Sequence, residues 1–355
     1  MPDVQNAYGY RLVAVGQPLE RHELPPLEPG PDEVIVEVAG CGVCHTDIGF
    51  GIEGVPTRQP LPLILGHEIA GRVVAVGEAA VAWQGKNVIV PAVIPCGTCP
   101  ACAAGRSTIC RRQFMPGNDG DGGFATHVRV PARGLCPVPD QLPASVTLDI
   151  LSVVADAVTT PFEAIRRSGL SADDVAVFVG VGGIGGFGMQ IAAALGAAVV
   201  AIDIDRERLA LAAQHGAALT LDATAADAKA MKSALRTYVK ESGRRGIGLK
   251  VFETSGTPAG QSTAFALMDH GSYLAVVGFT PKKVELRLSN LMALDATARG
   301  NWGCPPERYP AALALVLEGK VVLGPYIEKH KLEECPTVFQ AVAEHKIKRR
   351  VVLTP

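Results

Sequence analysis

A glycine-rich turn between two apolar segments constrains this sequence most. Residues 175–179 (VAVFV) are typical of a buried β-strand, residues 187–195 have the composition of a helix, and residues 198–202 predict a second buried strand that ends at Asp203. Between the first strand and the helix lies a G-x-G-G-x-G pattern formed by Gly180, Gly182, Gly183 and Gly185. Such a unit predicts a doubly wound parallel sheet, in which the glycines and the helix N-terminus bind a dinucleotide pyrophosphate.

The acidic residue after the second strand indicates which dinucleotide binds. Asp203 follows Gly185 by eighteen residues, and a carboxylate at this position accepts hydrogen bonds from a ribose 2′-hydroxyl and repels a 2′-phosphate. The sequence therefore predicts NAD as the cofactor. Arg206 is the one neighbour that weakens this preference, because an arginine there can meet a 2′-phosphate.

Composition bounds the size and setting of the protein. The chain of 355 residues is long enough for two domains, and a net charge of −2 offers no basic surface for nucleic acid. The first residues, MPDVQNAYGYRLV, lack the features of a signal peptide, and no run approaches the roughly 18 apolar residues of a membrane helix. Nine cysteines, an odd number, favour a reducing cytoplasm in which thiolates bind metals.

Hydrophobic periodicity predicts two kinds of structure along the chain. Up to about residue 150 it predicts β-strands, over 33–39, 70–76 and 88–90. Beyond Asp203, strands and helices alternate, which indicates a parallel sheet. The helices there are predicted over 206–215, 225–240 and 260–268, and the strands over 249–253 and 273–277. The last fifty residues predict helices over 310–318 and 335–345 and a strand over 350–353.

Four cysteines lie close together in C-x2-C-x2-C-x7-C spacing: Cys96, Cys99, Cys102 and Cys110. Four thiolates in one loop can enclose a tetrahedral Zn²⁺ and leave no position for a substrate, so such a site is structural. Disulfides or an iron–sulfur cluster are the alternatives, and an intracellular setting disfavours the disulfides. The zinc would hold a solvent-facing lobe over about residues 95–112 that has little core of its own.

Three further residues are candidate ligands for a second metal. Cys44 in GCGVCHTD and His67 in GHE lie in strand-and-turn sequence, and each is followed by a carboxylate that could orient it. Asp156 lies among apolar residues, where a buried carboxylate needs a partner. Taken singly, these residues are at least as well explained as an inert cysteine, an ordinary histidine and an aspartate that Thr159 caps.

The order of these features resembles the zinc-dependent medium-chain alcohol dehydrogenases over essentially the whole chain. The resemblance rests on GVCHTD, GHE, the four-cysteine lobe, DAVTTPF, the glycine motif and Asp203. It implies an α/β protein with a GroES-like β-rich catalytic domain over residues 1–155 and 300–355 and a Rossmann NAD-binding domain over residues 156–299. In this family the active site lies in the cleft between the two domains.

The resemblance implies a role for each residue of the zinc motifs. Cys44, His67 and Asp156 would bind the catalytic zinc, with Asp156 in a version of the motif where aspartate replaces cysteine. Thr46 would accept the proton of the substrate hydroxyl. Many relatives end this proton relay at a histidine five residues after the zinc cysteine, and here that position is Gly49, so water would complete the relay.

Residues beside the zinc motifs receive supporting roles from the same resemblance. Asp47 would orient the zinc ligands, and Glu68 is a neighbour that can approach the metal in this family. His45 and Arg350 lie where relatives place basic contacts to the coenzyme pyrophosphate, and Thr160 would lie near the nicotinamide. The family also implies a homo-oligomer, either a dimer or a tetramer.

Five longer runs are similar to family members that oxidise the ring hydroxyl of a cyclic CoA thioester in anaerobic aromatic degradation. They are PAVIPCG, MPGNDGDGGFATHV, VVADAVTTPF, RLSNLMA and GNWGCPPERYPAAL. The resemblance implies hydride transfer to NAD from an alkoxide activated by zinc, with Arg299 and Arg308 as candidate contacts to the CoA phosphates. The alternatives are a dehydrogenase of another secondary alcohol, a zinc-assisted enoyl-CoA hydratase, and a zinc-free reductase, against which the three candidate ligands argue.

Overall fold

The computed structural model describes residues 7–244 and 247–355. Residues 1–6 lie outside the described residues; they begin both the predicted catalytic domain and the segment predicted not to be a signal peptide. The strands are β1 Tyr8–Leu12, β2 Glu20–Glu23, β3 Glu33–Gly42, β4 Leu63–Ile64, β5 Glu68–Val76, β6 Asn87–Val90, β7 His127–Pro131, β8 Cys136–Pro137, β9 Val175–Val179, β10 Ala198–Asp203, β11 Ala217–Asp222, β12 Lys250–Glu253, β13 Tyr273–Val276, β14 Thr297–Gly300, β15 Ile327–Lys331 and β16 Arg350–Thr354.

The helices alternate with these strands in the middle of the chain and are sparse elsewhere. The α-helices are α1 His45–Gly51, α2 Pro100–Ala103, α3 Thr159–Ser168, α4 Gly183–Ala194, α5 Arg206–Gln214, α6 Ala228–Ser242, α7 Pro258–Leu267, α8 Ser289–Ala293, α9 Tyr309–Leu317 and α10 Cys335–Ala343. Short 3₁₀ helices cover Val81–Trp83, Ser107–Ile109, Ile150–Ala155, Pro306–Arg308, Gly324–Tyr326 and Leu332–Glu334.

The chain divides into two compact units. The catalytic unit comprises the residues up to Thr159 together with Gly303–Leu317 and Ile327–Pro355, and the coenzyme unit comprises Thr160–Trp302 and Glu318–Tyr326. This division departs from the predicted domains at 156–159, at 300–302 and at 318–326. The last of these segments belongs to the coenzyme unit because Tyr326 packs against the Phe187 ring of α4, with 5.5 Å between ring centroids.

A seven-stranded sheet forms the frame of the catalytic unit. Six of its strands follow the order β15-β16-β3-β5-β6-β8, and β7 pairs with β3; a smaller sheet has the order β2-β1-β4. The long strand β3 (EVIVEVAGCG) buries its three valines in one continuous core, which also contains Leu63, Ile69 and Phe124. Apolar residues on the inner faces of both sheets thus fix the β-rich unit.

A six-stranded parallel sheet forms the frame of the coenzyme unit. Its order is β11-β10-β9-β12-β13-β14, and every pairing in it is parallel. The central strand β9 (VAVFV) is fully buried, as expected of a strand covered on both faces. The predicted α/β fold, with a β-rich unit and a doubly wound parallel sheet, is confirmed.

Several elements that differ from the prediction either include the glycine turn or lie at the edge of a sheet. Helix α4 begins at Gly183 and not near residue 187, because the glycines of the turn themselves form its first turn. Strand β14 (TARG) is exposed along its whole length and carries no apolar alternation. Strands β11 and β15 were likewise not predicted, since both are only partly buried edge strands of their sheets.

Within the described residues, no helix combines the length and the apolar character that crossing a membrane requires.

The tightest contact of the glycine motif yields a stability prediction. A Cβ on Gly185 would lie 1.9 Å from the Gly180 carbonyl oxygen, so Gly185→Ala must displace the main chain. We expect a cost of about 1–3 kcal/mol, or roughly 2–4 °C in Tm per kcal/mol, in thermal unfolding. Gly324→Ala is the matched control, because a Cβ there meets nothing within 4 Å. Equal melting of the two variants would contradict the prediction.

Candidate active site

Three strands of the catalytic unit bring the candidate zinc ligands together. Antiparallel pairing of β3 with β5 places Gly42 opposite Glu68, so that the segment before α1 runs beside the segment before β5. Strand β16 pairs with the same end of β3 through Leu353 and Cys41. The three neighbouring strands β16, β3 and β5 therefore bring these segments together at one end of the sheet.

Cys44 is held at the start of a short helix. It is the residue before α1, is buried, and has an extended backbone with φ −103° and ψ 154°. Asp47 Oδ2 accepts a hydrogen bond from the Cys44 N–H at 2.9 Å, and this bond caps the first turn. The thiol is thereby fixed relative to the backbone of α1.

The buried carboxylate of Asp47 also orients His67. Its Oδ1 accepts the Gly66 N–H at 3.1 Å and lies 3.2 Å from His67 Nδ1. Burial opposes protonation of His67, but the nearby carboxylates of Asp47 and Asp156 raise its pKa well above the ordinary value. A metal binds the neutral ring in place of the Nε2 proton, and Nδ1, which donates to Asp47, then directs the Nε2 lone pair toward that metal.

The donor atoms of Cys44, His67 and Asp156 form one compact group. Asp156 Oδ2 lies 3.7 Å from Cys44 Sγ and 3.8 Å from His67 Nε2, and all three donors lie within 4.8 Å of one another. One thiolate, one imidazole and one carboxylate are ligands that Zn²⁺ accepts, and three protein ligands leave a fourth position open for a substrate. The arrangement fits a catalytic zinc.

A hydroxyl group lies at the edge of this ligand group. Thr46 is half-buried, and its Oγ1 lies 3.7 Å from Cys44 Sγ. The structure thus places the predicted proton acceptor beside the first ligand. Gly49, where the relay was predicted to lack a histidine, is buried in α1.

An ion pair lies directly behind the three ligands. Arg350 Nε donates to Glu68 Oε2 at 2.9 Å, a second guanidinium nitrogen donates to Glu68 Oε1, and the Arg350 guanidinium lies 3.9 Å from Asp156 Oδ2. Glu68 also accepts the Ala157 N–H at 2.9 Å. Burial raises the pKa of Glu68, and the Arg350 guanidinium opposes that shift.

This pairing adds to the roles that the resemblance implies for Glu68 and Arg350. Glu68 is not one of the three grouped donors, and both its oxygens bind Arg350. Arg350 is only 7% exposed. Contact of Glu68 with the metal and of Arg350 with a pyrophosphate stay predictions.

The four remaining candidate ligands form a second compact group in the predicted lobe. Cys99 Sγ lies 3.5 Å from Cys102 Sγ and 3.7 Å from Cys110 Sγ, the Cys96 N–H donates to Cys110 Sγ at 3.4 Å, and all four cysteines are free thiols. The Thr98 backbone N–H lowers the pKa of the Cys96 thiol to about 5. The group fits a closed tetrahedral zinc site.

The glycine motif of the coenzyme unit has the geometry of a phosphate cradle. Gly180 has φ +88°, and a Cβ on it would lie 2.6 Å from Ser255. A Cβ on Gly182 would instead meet nothing closer than the Arg208 guanidinium at 3.5 Å. Space at Gly182 beside the N-terminus of α4, which begins at Gly183, suits a pyrophosphate.

Asp203, the acidic residue that follows the glycine motif, already accepts hydrogen bonds from backbone groups of the chain. Asp203 Oδ2 accepts the Val181 N–H at 2.8 Å and Oδ1 accepts the Asp205 N–H at 2.9 Å. Arg206 pairs with Asp222 at 2.9 Å and is 82% exposed. Arg208 lies two positions later on α5, and its guanidinium is the basic group beside Gly182. In the sequence, the only signal of this contact is the position of Arg208 in the predicted helix 206–215.

The other two predicted coenzyme contacts lie on separate units. His45 is exposed in the catalytic unit and stacks on His345, with 5.7 Å between ring centroids. Thr160 is buried in the coenzyme unit, and its carbonyl oxygen accepts Asn301 Nδ2 at 3.1 Å. Their contacts with a coenzyme stay predictions.

Known proteins share both the fold and the order of these sites. Residues 30–140 match the alcohol dehydrogenase GroES-like domain, and residues 183–318 match the zinc-binding dehydrogenase family. Alcohol dehydrogenases of Geobacillus stearothermophilus and Rhizobium meliloti strain 1021 are 31% and 32% identical to this chain. These matches cover 93% and 95% of the chain and 93% and 96% of the relatives.

A solved structure extends the similarity to three dimensions. Galactitol-1-phosphate dehydrogenase from Escherichia coli superposes with a TM-score of 0.87 at 27% identity, over 98% of this chain and 100% of that one. The chain belongs to the zinc-dependent medium-chain alcohol dehydrogenases, which are oxidoreductases acting on CH–OH groups. A zinc-binding dehydrogenase from Sinorhizobium meliloti 1021, solved with NADP bound, superposes with a TM-score of 0.83 at 26% identity, over 99% of this chain and 100% of that one. The predicted cofactor set is confirmed as NAD(P) and two zinc ions per chain.

The two groups of ligands predict two separable metals. We expect Asp156→Asn to reduce the zinc content from two ions per chain to one, because a neutral amide replaces a charged ligand. Cys99→Ala should remove the other ion and lower the Tm, since its zinc holds the lobe together. Atomic absorption on dialysed protein gives the counts, with the exposed Asp140→Asn as control. Two zinc ions in Asp156→Asn would contradict the assignment.

The buried ion pair predicts a large and non-additive cost of mutation. Arg350→Gln leaves the fully buried Glu68 charge without its partner, so we expect a loss of about 3–5 kcal/mol in the free energy of unfolding. The double variant Glu68→Gln/Arg350→Gln should lose less than the two single variants added together. Arg129→Gln, in the exposed Arg129–Glu33 pair, is the control and should cost at most about 1 kcal/mol. Additive losses would contradict this account.

Proposed function

We propose that this protein oxidises the ring hydroxyl of 6-hydroxycyclohex-1-ene-1-carbonyl-CoA to 6-oxocyclohex-1-ene-1-carbonyl-CoA with NAD, within anaerobic benzoyl-CoA degradation. The observation that carries the reaction type is the three-ligand group Cys44, His67 and Asp156 with the Thr46 hydroxyl beside it. The thioester substrate rests on the five sequence runs described above. Two of these runs contain site residues: VVADAVTTPF holds Asp156, and PAVIPCG holds Cys96.

The residues of the catalytic unit divide the work of such an oxidation. When bound, zinc supplies a Lewis acid and NAD a hydride acceptor. Asp47 holds both Cys44 and His67 in place through its two oxygens. Thr46 accepts the proton that the substrate hydroxyl loses, since its oxygen lies beside the ligand group, and passes its own hydroxyl proton on to water because position 49 is glycine and not histidine.

The coenzyme unit favours NAD over NADP. The carboxylate of Asp203 ends β10, where the ribose of a dinucleotide binds in sheets of this kind. A 2′-phosphate there would meet this negative charge, and Arg206 is already paired with Asp222. Arg208 beside Gly182 supplies a positive charge for the pyrophosphate.

The phosphates of a CoA substrate need basic partners. Arg299 is exposed on β14 of the coenzyme unit, and Arg308 is exposed at the end of the Pro306–Arg308 helix of the catalytic unit. We assign both as candidate contacts to the tail. We further propose a cytoplasmic homo-oligomer, a dimer or a tetramer, with catalytic and coenzyme domains corresponding to the two units.

A polyol is the second candidate substrate. The structural neighbour with a TM-score of 0.87 is a galactitol-1-phosphate dehydrogenase, whose substrate is named as a phosphorylated sugar alcohol. The same three ligands and Thr46 would serve either substrate, because both present a secondary hydroxyl. Zinc-assisted hydration of an enoyl-CoA is the third candidate, and in that reaction NAD would not be consumed.

The test of the function is formation of NADH, measured by its near-ultraviolet absorbance. The zinc-replete protein is mixed with NAD and the hydroxyacyl-CoA thioester, in parallel with galactitol 1-phosphate, simple secondary alcohols and NADP. We expect NADH from the thioester alone, and about a 10²–10⁴-fold lower kcat in Thr46→Val, which lacks the proton acceptor.

Each other outcome identifies one of the alternatives. Turnover of polyols or simple alcohols without turnover of the thioester would contradict the substrate and retain the dehydrogenase. Consumption of the corresponding dienoyl-CoA in water without NADH would indicate the hydratase. Equal rates with NADP would contradict the role given to Asp203.

A further inference from the structure

A buried tyrosine of the catalytic unit reaches the residue next to the third zinc ligand. Tyr309 is the first residue of α9 and is 1% exposed. Its hydroxyl donates a hydrogen bond to the Ala155 carbonyl oxygen and accepts one from the Ala92 N–H at 3.1 Å. Both the donor and the acceptor capacity of this hydroxyl are therefore used within the protein interior.

The peptide groups on both sides of Asp156 are held by three side chains, two of which come from distant parts of the sequence. On the N-terminal side, the Ala155 carbonyl accepts from Tyr309 and also from Thr159 Oγ1 at 3.1 Å. On the C-terminal side, the Ala157 N–H donates to Glu68 at 2.9 Å. Hydrogen bonds thus hold both the peptide before Asp156 and the peptide after it.

The local backbone of Asp156 does not provide this precision by itself. The 3₁₀ helix Ile150–Ala155 ends at Asp156, whose φ of −138° and ψ of −58° lie outside the helical region. One backbone hydrogen bond, from the Val158 N–H to the Val153 carbonyl oxygen at 3.1 Å, closes a turn over this residue, and regular helix resumes only at Thr159, where α3 begins. The side chains that hold the neighbouring peptides therefore add to the local turn in setting the direction of the carboxylate.

We propose that Tyr309 is a positioning residue for the catalytic zinc. Its hydroxyl fixes the peptide that precedes Asp156 and thereby keeps Asp156 Oδ2 at 3.7–3.8 Å from the donor atoms of Cys44 and His67. A tilt of this peptide moves the carboxylate away from the other two donors. Outer contacts of this kind set the affinity and geometry of a metal site although they never touch the metal.

The variant Tyr309→Phe tests the proposal because it removes the hydroxyl and keeps the ring in the core. We expect the affinity of the catalytic site for zinc, measured by competition with a chromophoric chelator, to fall by about 10–100-fold. The ligand-field spectrum of protein with Co²⁺ in the catalytic site should change, since it reports the ligand geometry. The four-cysteine site should keep its zinc.

The control is Tyr10→Phe, which removes a buried hydroxyl of the same unit. Tyr10 is 5% exposed, and its hydroxyl donates to the Glu333 carbonyl at 3.3 Å, in a partly buried hydrogen bond that includes neither a zinc ligand nor a neighbouring peptide of one. We expect wild-type zinc affinity and a wild-type cobalt spectrum in this variant. A loss of affinity equal to that of Tyr309→Phe would overturn the proposal, because the effect would then be one of general stability.

Two further outcomes decide the matter. Wild-type zinc affinity and an unchanged cobalt spectrum in Tyr309→Phe would overturn the proposal, even with a lower Tm. If that variant does not fold, 3-fluorotyrosine incorporated at position 309 keeps the ring and the hydroxyl but changes the strength of the same hydrogen bond to the Ala155 carbonyl: a changed cobalt spectrum supports the proposal and an unchanged one overturns it. These readouts depend on the zinc site alone, so failure of the thioester assay leaves them valid.

Discussion

The catalytic unit depends on one buried carboxylate that has three hydrogen-bond partners. Asp47 is fully buried, and without the Cys44 and Gly66 N–H groups and the His67 ring its charge would be costly to remove from water. Because those partners come from two segments, one before α1 and one before β5, satisfying the carboxylate also fixes both segments. The relative positions of two zinc ligands are therefore set in part by hydrogen bonds within the protein.

The rest of the site follows from the strands that meet there. Pairing of β3 with β5 and with β16 brings Glu68 and Arg350 behind the ligands, and their ion pair compensates two buried charges at once. Glu68 also accepts a hydrogen bond from the Ala157 N–H and so holds the peptide that follows Asp156. The glycine motif of the coenzyme unit depends on contacts within that unit, because a Cβ on Gly180 or Gly185 would collide with Ser255 or Thr254.

The features predicted from the sequence are those with strong local chemistry. The four-cysteine spacing, the glycine motif and the strand at 175–179 were predicted because metal ligands, main-chain sterics and a continuous apolar run each leave a short signature. Cys44, His67 and Asp156 were grouped only through the family resemblance, because they are far apart in the sequence. The polar edge strand β14 left no signal at all.

The contacts that were not predicted are long-range. Arg350 and Glu68 are 282 residues apart, and Tyr309 lies 154 residues from Ala155. No periodicity or motif in the sequence predicts either contact, because each forms only when the fold packs two distant elements together. The position of Arg208 beside Gly182 likewise depends on how α5 packs after β10.

The split of the catalytic unit in the sequence has a consequence for its synthesis on the ribosome. Residues 160–302 of the coenzyme unit emerge as one stretch, and their parallel sheet has all six of its strands before Arg350 is translated. The catalytic unit at that stage still lacks β16, which lies between β15 and β3 in its sheet. Folding of a chain domain by domain therefore favours an early coenzyme unit, whereas the buried Glu68–Arg350 pair of the catalytic unit forms only after the last strand has been synthesised.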